Sequence, residues 1–318
     1  MSAAPETVRA VRLLAHGEPL QVQTVTLPEP GPEEVRVELE FGGVNPVDRY
    51  TAQGRVAPGG PLPRTLGAEA AGRVDGEPVL VAGEGLGSLR DGVWAQAAVV
   101  PRAALVALPH GVGTREAAAV GIAGLTALNC VRELARVTAE DRVLVLGASG
   151  GVGSMIVSLA QAAGATVWGQ TGNADKADGI AAHGAERVLV AGPEDLRAAL
   201  PELAPTVVFD PLGGEFFTSV VEGIEPRGRI VSFGVSAGAE VTFNLQTLYR
   251  KMLTLSGYGG MQLRRDERRP GLEAALRAVS DGELRITIDS VLPLDEVGAA
   301  FDRLTDRAVQ GKLLLDLS

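Results

Sequence analysis

The sequence predicts an α/β protein in which a doubly wound parallel sheet is joined to a smaller β-rich domain. Three observations predict this. Apolar residues alternate in period two over residues 8–100, apolar strands alternate with helical segments from Thr114 to about residue 260, and a mixed strand–helix tail follows. The 318 residues suffice for two ordinary domains, and 46% hydrophobic with 21% charged residues is ordinary globular usage, so a sizeable core can form.

Short strands are predicted at Val8 to Leu14, Leu20 to Val25 and Glu34 to Leu39, then at Val79 to Val81 and Ala95 to Val100. Pro/Gly clusters at residues 28–32 and 58–61 separate them as turns. Arg115 to Leu134 carries a helical pattern. Arg142 to Leu146 is a continuous apolar run, as a strand buried on both faces should be. Val152 to Ala163 is helical, Thr166 to Trp168 a strand, and Lys176 to His183 a helix closed by Gly184. Strands at Arg187 to Val190, Thr206 to Phe209 and Arg229 to Phe233 continue the alternation, which right-handed crossovers turn into a parallel sheet. The tail reads as a charged loop after residue 260, then helix (Leu272 to Ser280), strand (Ile286 to Val291), helix (Leu294 to Thr305) and strand (Lys312 to Leu317).

Charge and composition narrow the function. With 29 basic against 39 acidic residues the net charge is −10, which argues against a nucleic-acid partner. The one basic cluster, Arg264–Arg265 with Arg268–Arg269, is interleaved with Asp266 and Glu267 and reads as a solvated stretch. Only Lys176, Lys251 and Lys312 are lysines, so each stands out among basic residues that are otherwise arginine. Cys130 is the single cysteine, in an apolar setting that suits an inert thiol; no intrachain disulfide and no cysteine-based zinc site can form. His16, His110 and His183 lie far apart in turn-like contexts and read as surface residues. No secretory pattern opens the chain, and the run Ala117 to Cys130 is too short to span a bilayer. The expectation is a cytoplasmic protein with no membrane partner.

The sharpest local feature is Leu146-Gly147-Ala148-Ser149-Gly150-Gly151-Val152-Gly153, set between a predicted strand and a predicted helix. That context is what a dinucleotide site needs: small residues let the backbone approach a diphosphate, and the helix N-terminus presents free N–H groups. Ala148 departs from the strict glycine pattern, and a tight turn without ligand has the same steric needs. At the end of the second strand the run Trp168 to Lys176 brings no acid immediately to take ribose hydroxyls, whereas Lys176 is available to a 2′-phosphate. NADPH is therefore favoured over NADH.

Together, Gly43-Val-Asn-Pro-Val-Asp-Arg-Tyr50, Leu66-Gly-Ala-Glu-Ala-Ala-Gly72, Gly124-Leu-Thr-Ala127, the glycine loop, Phe209-Asp-Pro-Leu-Gly-Gly214, Gly228-Arg-Ile-Val-Ser-Phe-Gly234 and Arg307-Ala-Val-Gln-Gly-Lys312 resemble the zinc-independent quinone oxidoreductase branch of the medium-chain dehydrogenase/reductase superfamily. Each motif is weak alone; their order over nearly the whole chain is specific. The resemblance implies a GroES-like catalytic domain (1–118), a Rossmann NADPH-binding domain (119–261) and a C-terminal segment (262–318) completing the first, with the cofactor between the domains. It implies Asn45 and Tyr50 as catalytic residues. It implies Pro46 and Asp48 at the nicotinamide, Ser149, Gly150, Gly151 and Val152 at the diphosphate, and Gly172 with Lys176 at the adenosine phosphate. Leu212, Gly234, Val235, Ser236, Gly259, Gly260 and Met261 would pass along the cofactor, with Arg307 closing on it. Zinc-dependent relatives place Cys at the position of Asn45 and His at that of Ala68, so no metal is expected.

The activity so implied is hydride transfer to a quinone or to the C=C bond of an α,β-unsaturated carbonyl. A dedicated enoyl reductase of natural-product biosynthesis and an NADPH-binding protein without turnover are the alternatives. They stay open because Gly54-Arg55-Val56-Ala57 lacks the Tyr that many enoyl-reducing relatives carry there, and because Gly72 to Trp94 is short. Tyr50 could donate a hydrogen bond or only pack on the cofactor ring. Relatives also imply a homodimer formed through an edge strand, here Leu253 to Tyr258.

Overall fold

The computed structural model describes residues 6–306 and 308–318. The chain divides into two compact units, one of residues 1–123, 264–280 and 288–318, the other of residues 124–263 and 281–287. The tail predicted to return whole to the first domain thus leaves it once. Residues 281–287 stay with the second unit, where the Arg285 N–H donates to Ser158 Oγ (3.2 Å) and Thr287 Oγ1 meets His183 Nε2 (2.7 Å).

Among the described residues the first unit holds a seven-stranded sheet and a three-stranded one. The long strand Glu34–Val44 pairs antiparallel with Glu69–Val74, Lys312–Asp316 and Ala97–Pro101. Its register sets Val44 opposite Leu313 and Gly42 opposite Ala70. The end of the first strand and the beginnings of two others therefore meet at one corner, although they are far apart in sequence. Val37, Leu39, Leu66, Val81, Trp94 and Leu315 form the core beneath. Strand Glu69–Val74 escapes sequence prediction because its Ala/Gly-rich run carries no alternation of β-branched residues.

The second unit is a six-stranded parallel sheet. Its spatial order is Arg187–Val190, Thr166–Thr171, Arg142–Val145, Val207–Asp210, Arg229–Ser232 and Thr254–Gly257, that is, third, second, first, fourth, fifth and sixth in chain order. The order reverses between the first and fourth strands, and ligands of such sheets bind beyond the carboxyl ends at that point. Leu144, Leu146, Val208, Phe217 and Ile230 are central to its core. Helices Pro193–Leu203, Gly214–Gly223 and Leu245–Lys251 fill the crossovers without having been predicted.

Two further readings are corrected. The charged stretch after residue 260 is the start of a helix, Arg265–Ser280: Asp266 and Glu267 favour its first turn, and Arg269 pairs with Glu273 one turn on. Pro270 masked that helix in the sequence. The run Ala117 to Cys130 lies within a 21-residue helical stretch, Thr114–Leu134, long and apolar enough to cross a bilayer; 72% of its apolar window is buried in the protein, as in a core helix.

Candidate functional site

The dinucleotide turn of the second unit is built by backbone. Strand Arg142–Val145 ends, Gly147 takes φ +58°, and helix Gly151–Ala162 begins with Gly150 as its N-cap. No side chain caps that helix, and the first intrahelical bond runs from the Ser154 N–H to the Gly150 carbonyl. Gly151, Val152 and Gly153 therefore present the unsatisfied N–H groups of a first turn, and these with the helix dipole favour an anion. Gly153 is required by packing: a Cβ there would collide with the Gly147 carbonyl and lie 3.0 Å from Ala148 Cα. Ser149, Gly150, Gly151 and Val152 are all half-buried, so the turn is reachable. This arrangement fits a dinucleotide diphosphate.

The same edge of the sheet gathers the other residues expected along a cofactor. A Cβ on Gly147 would lie 3.6 Å from Leu212 Cδ2. The Pro211 carbonyl accepts the Ser236 N–H (3.0 Å), and Gly234 lies against the same carbonyl, with Val235 exposed between them. Asp210 shapes this corner: its Oδ1 accepts the N–H groups of Leu212 (2.6 Å) and Gly213 (3.0 Å), and burial pushes its carboxyl pKa up. Gly259, Gly260 and Met261 follow the last strand, with Met261 exposed. Strand Thr166–Thr171 runs beyond the predicted Trp168 and ends on Thr171, whose Oγ1 accepts the Asn173 N–H (3.2 Å). Gly172 has no neighbour within 4 Å of a would-be Cβ. Lys176 ends a short 3-10 turn and is only 9% exposed, far from the solvated residue its neighbour Asp175 suggests.

The first unit makes its site from side chains. Asn45 precedes helix Pro46–Ala52 and is 5% exposed. Its Nδ2 donates to Glu69 Oε1 (2.7 Å), and its Oδ1 accepts from Lys312 Nζ (2.6 Å). Lys312 Nζ also donates to Glu69 Oε1 (3.2 Å) and to the Val44 carbonyl (3.2 Å). Glu69 Oε2 accepts the Ile122 N–H (2.5 Å). Glu69 and Lys312 form a buried ion pair, at 0% and 4% side-chain exposure. Room for the carboxylate comes from Gly43 and Gly121, where any Cβ would strike Glu69. Sequence reasoning missed both members of this pair. The signal was present: an acid within Ala68-Glu69-Ala70-Ala71 and a lysine heading Lys312-Leu-Leu-Leu, since a charge in an apolar run demands a partner.

Asp48 gives its carboxylate to the backbone, accepting the N–H groups of Asn45 (2.9 Å) and Ala68 (3.1 Å). Desolvation pushes its pKa up to about 7; the Glu69 charge adds to the rise, while the two N–H bonds and Lys312 oppose it. Pro46 is exposed. Tyr50 is half-buried, its ring flanked by the guanidinium groups of Arg49 (5.4 Å) and Arg55 (4.9 Å). Arg307 lies outside the described residues. Of the three histidines read as surface residues, His110 is exposed and His16 half-buried, but His183 is buried against Thr287, and burial with the nearby Arg285 lowers its pKa. Cys130 is buried, and desolvation pushes its thiol up to about 12. Among the described residues no group of three or more His, Cys, Asp or Glu side chains is placed to share a metal ion.

A turn of this kind at the reversal of a six-stranded parallel sheet defines the class: a dinucleotide-binding α/β protein. Comparison with known proteins refines it. Residues 151–277 match the family described as zinc-binding dehydrogenase. Quinone oxidoreductase 1 of Escherichia coli (strain K12) is 30% identical, the alignment covering 94% of this chain and 97% of that one. Among solved structures, an NAD-dependent alcohol dehydrogenase superposes with a TM-score of 0.87 at 29% identity, over 98% of this chain and 100% of the other. A quinone oxidoreductase of Pseudomonas syringae pv. Tomato DC3000 gives a TM-score of 0.85 at 26% identity, over 97% and 99%. The chain belongs to the quinone oxidoreductase-like branch of the medium-chain dehydrogenase/reductase superfamily and is an oxidoreductase of that type.

Proposed function

We propose that the protein is an NADPH-dependent, zinc-independent oxidoreductase acting on a quinone or on the C=C bond of an α,β-unsaturated carbonyl. The observation that carries this reading is the uncapped first turn of helix Gly151–Ala162, a seat for a diphosphate. NADPH is favoured over NADH because the second strand ends on Thr171 and not on an acid, and the positive charge of Lys176 follows within the next turn. Bound there, the reduced nicotinamide supplies the hydride. The chain binds, orients and stabilises. Gly151 and Val152 hold the diphosphate, Gly172 and Lys176 the adenosine phosphate, and Leu212, Gly234 to Ser236 and Gly259 to Met261 run along the cofactor. Asn45 keeps one N–H of its amide beyond the bond to Glu69, and that N–H is the donor for negative charge developing on the acceptor's carbonyl oxygen. The amide is already engaged by Lys312 and Glu69, which supports a reaction without zinc.

NADPH oxidation measured against a panel of quinones, enals and enoyl thioesters tests the reading. Turnover with at least one class is expected. NADPH binding with no turnover anywhere would leave a nucleotide-binding protein and remove the activity. One observation favours the dedicated enoyl reductase: Arg49 and Arg55 flank Tyr50, and neither is in an ion pair among the described residues. Two such cations suit an acceptor that carries negative charge, as a carrier-bound enoyl thioester does.

The protein's proposed partner is a second copy of itself. Strand Thr254–Gly257 is the sheet edge, and Tyr249, Met252 and Leu255 beside it are exposed. Edge-to-edge pairing about a two-fold axis would cover them. Light scattering should report a dimer, and Leu255→Lys a monomer. The proposed compartment is the cytoplasm.

A further inference from the structure

The donor role given to Asn45 depends on which way its amide faces, and the buried ion pair decides that. Lys312 Nζ has three acceptors, the Val44 carbonyl (3.2 Å), Asn45 Oδ1 (2.6 Å) and Glu69 Oε1 (3.2 Å), so its donors are used within the protein. Glu69 takes the Asn45 Nδ2 bond on Oε1 (2.7 Å) and the Ile122 N–H on Oε2 (2.5 Å). Turning the amide over would set its NH2 against the ammonium and its oxygen against the carboxylate, replacing two charge-assisted bonds with two repulsions at a site shielded from water. Gly43 and Gly121 leave the carboxylate room that a Cβ at either would fill. Asn45 directly follows the end of one strand, and Glu69 and Lys312 head two strands paired with it, so the sheet register holds the cluster in place.

We propose that Lys312 and Glu69 are positioning residues which lock the Asn45 amide so that its remaining N–H has one fixed direction, toward the acceptor's oxygen. Neither touches substrate or cofactor; both act through Asn45. This inference rests on the activity proposed above.

The test is a mutant cycle read in steady-state kinetics on the full chain. Lys312→Met with Glu69→Gln removes both charges while keeping both shapes, a replacement that buried ion pairs commonly tolerate. The double variant should fold, as judged by circular dichroism. It should keep its KM for NADPH and lose about 10- to 100-fold in kcat, the scale of a misplaced catalytic group. In an Asn45→Ala background the same pair of substitutions should cost nothing further in kcat, because the group they position is gone. Should the double variant not fold, Glu69→Asp, which keeps both charges and draws the carboxylate back by one methylene, runs the same cycle. Equal losses with and without Asn45, or an unchanged kcat in the variant, would overturn the positioning role while leaving the activity standing. A wild-type protein that turns over no acceptor would remove both.

Discussion

The two units build their sites from opposite materials. In the second unit the groups of the candidate site are backbone: a glycine turn and the open N–H groups of Gly151 to Gly153, with side chains chiefly kept out of the way. In the first they are buried side chains, Asn45, Glu69 and Lys312, which must satisfy one another because water cannot. A backbone site is local, tolerates neutral changes nearby and fails only where a Cβ intrudes. A buried charge network is non-local and fails as a unit.

The largest test of that contrast removes half of the network. Lys312→Met alone leaves the Glu69 carboxylate buried and unpaired, and should cost about 3–5 kcal/mol of stability in urea unfolding. Lys312→Met with Glu69→Gln should recover most of it. A single variant no less stable than the double would break the comparison.

Protonation sharpens it next. Asp48, raised to about 7 in the folded state from an ordinary 3.8, binds a proton more tightly folded than unfolded. Its contribution is therefore fully present below about pH 4 and is lost as the pH rises through 7. The melting temperature should fall over that window relative to Asp48→Asn, whose profile should be flatter. The second unit's turn has no titrating group of its own and should add little to that pH dependence of stability.

Two glycines of the second unit probe its backbone. Gly153→Ala puts a Cβ into backbone at Gly147 and Ala148 and should cost about 1–3 kcal/mol, with weaker NADPH binding by fluorescence titration. Gly172→Ala meets nothing within 4 Å and should change stability by no more than about 0.5 kcal/mol. The smallest expected effect is none: Cys130, buried and held up near 12, should resist thiol reagents in the native protein and react on unfolding.

These differences track what could be read from residues alone. The parallel sheet was legible because continuous apolar runs such as Arg142 to Leu146 alternate with helical patterning, and the glycine turn because its residues are consecutive. Strand Glu69–Val74 was not, since alanine and glycine carry no periodicity; nor was the start of helix Arg265–Ser280, where Pro270 and dense charge imitate a loop. His183 was misplaced because the residues it interacts with, Thr287 and Arg285, lie about a hundred positions away.

By itself the sequence determined the two kinds of unit, the place of the dinucleotide turn, and the lack of an acid closing the second strand, all consequences of neighbours along the chain. Only the tertiary structure decided that Asn45, Glu69 and Lys312 form one cluster and that Asp48 serves the backbone. Pairing between strands brings together residues 24 and 243 positions from Glu69, and a buried charge reveals its partner only when the chain has closed around it.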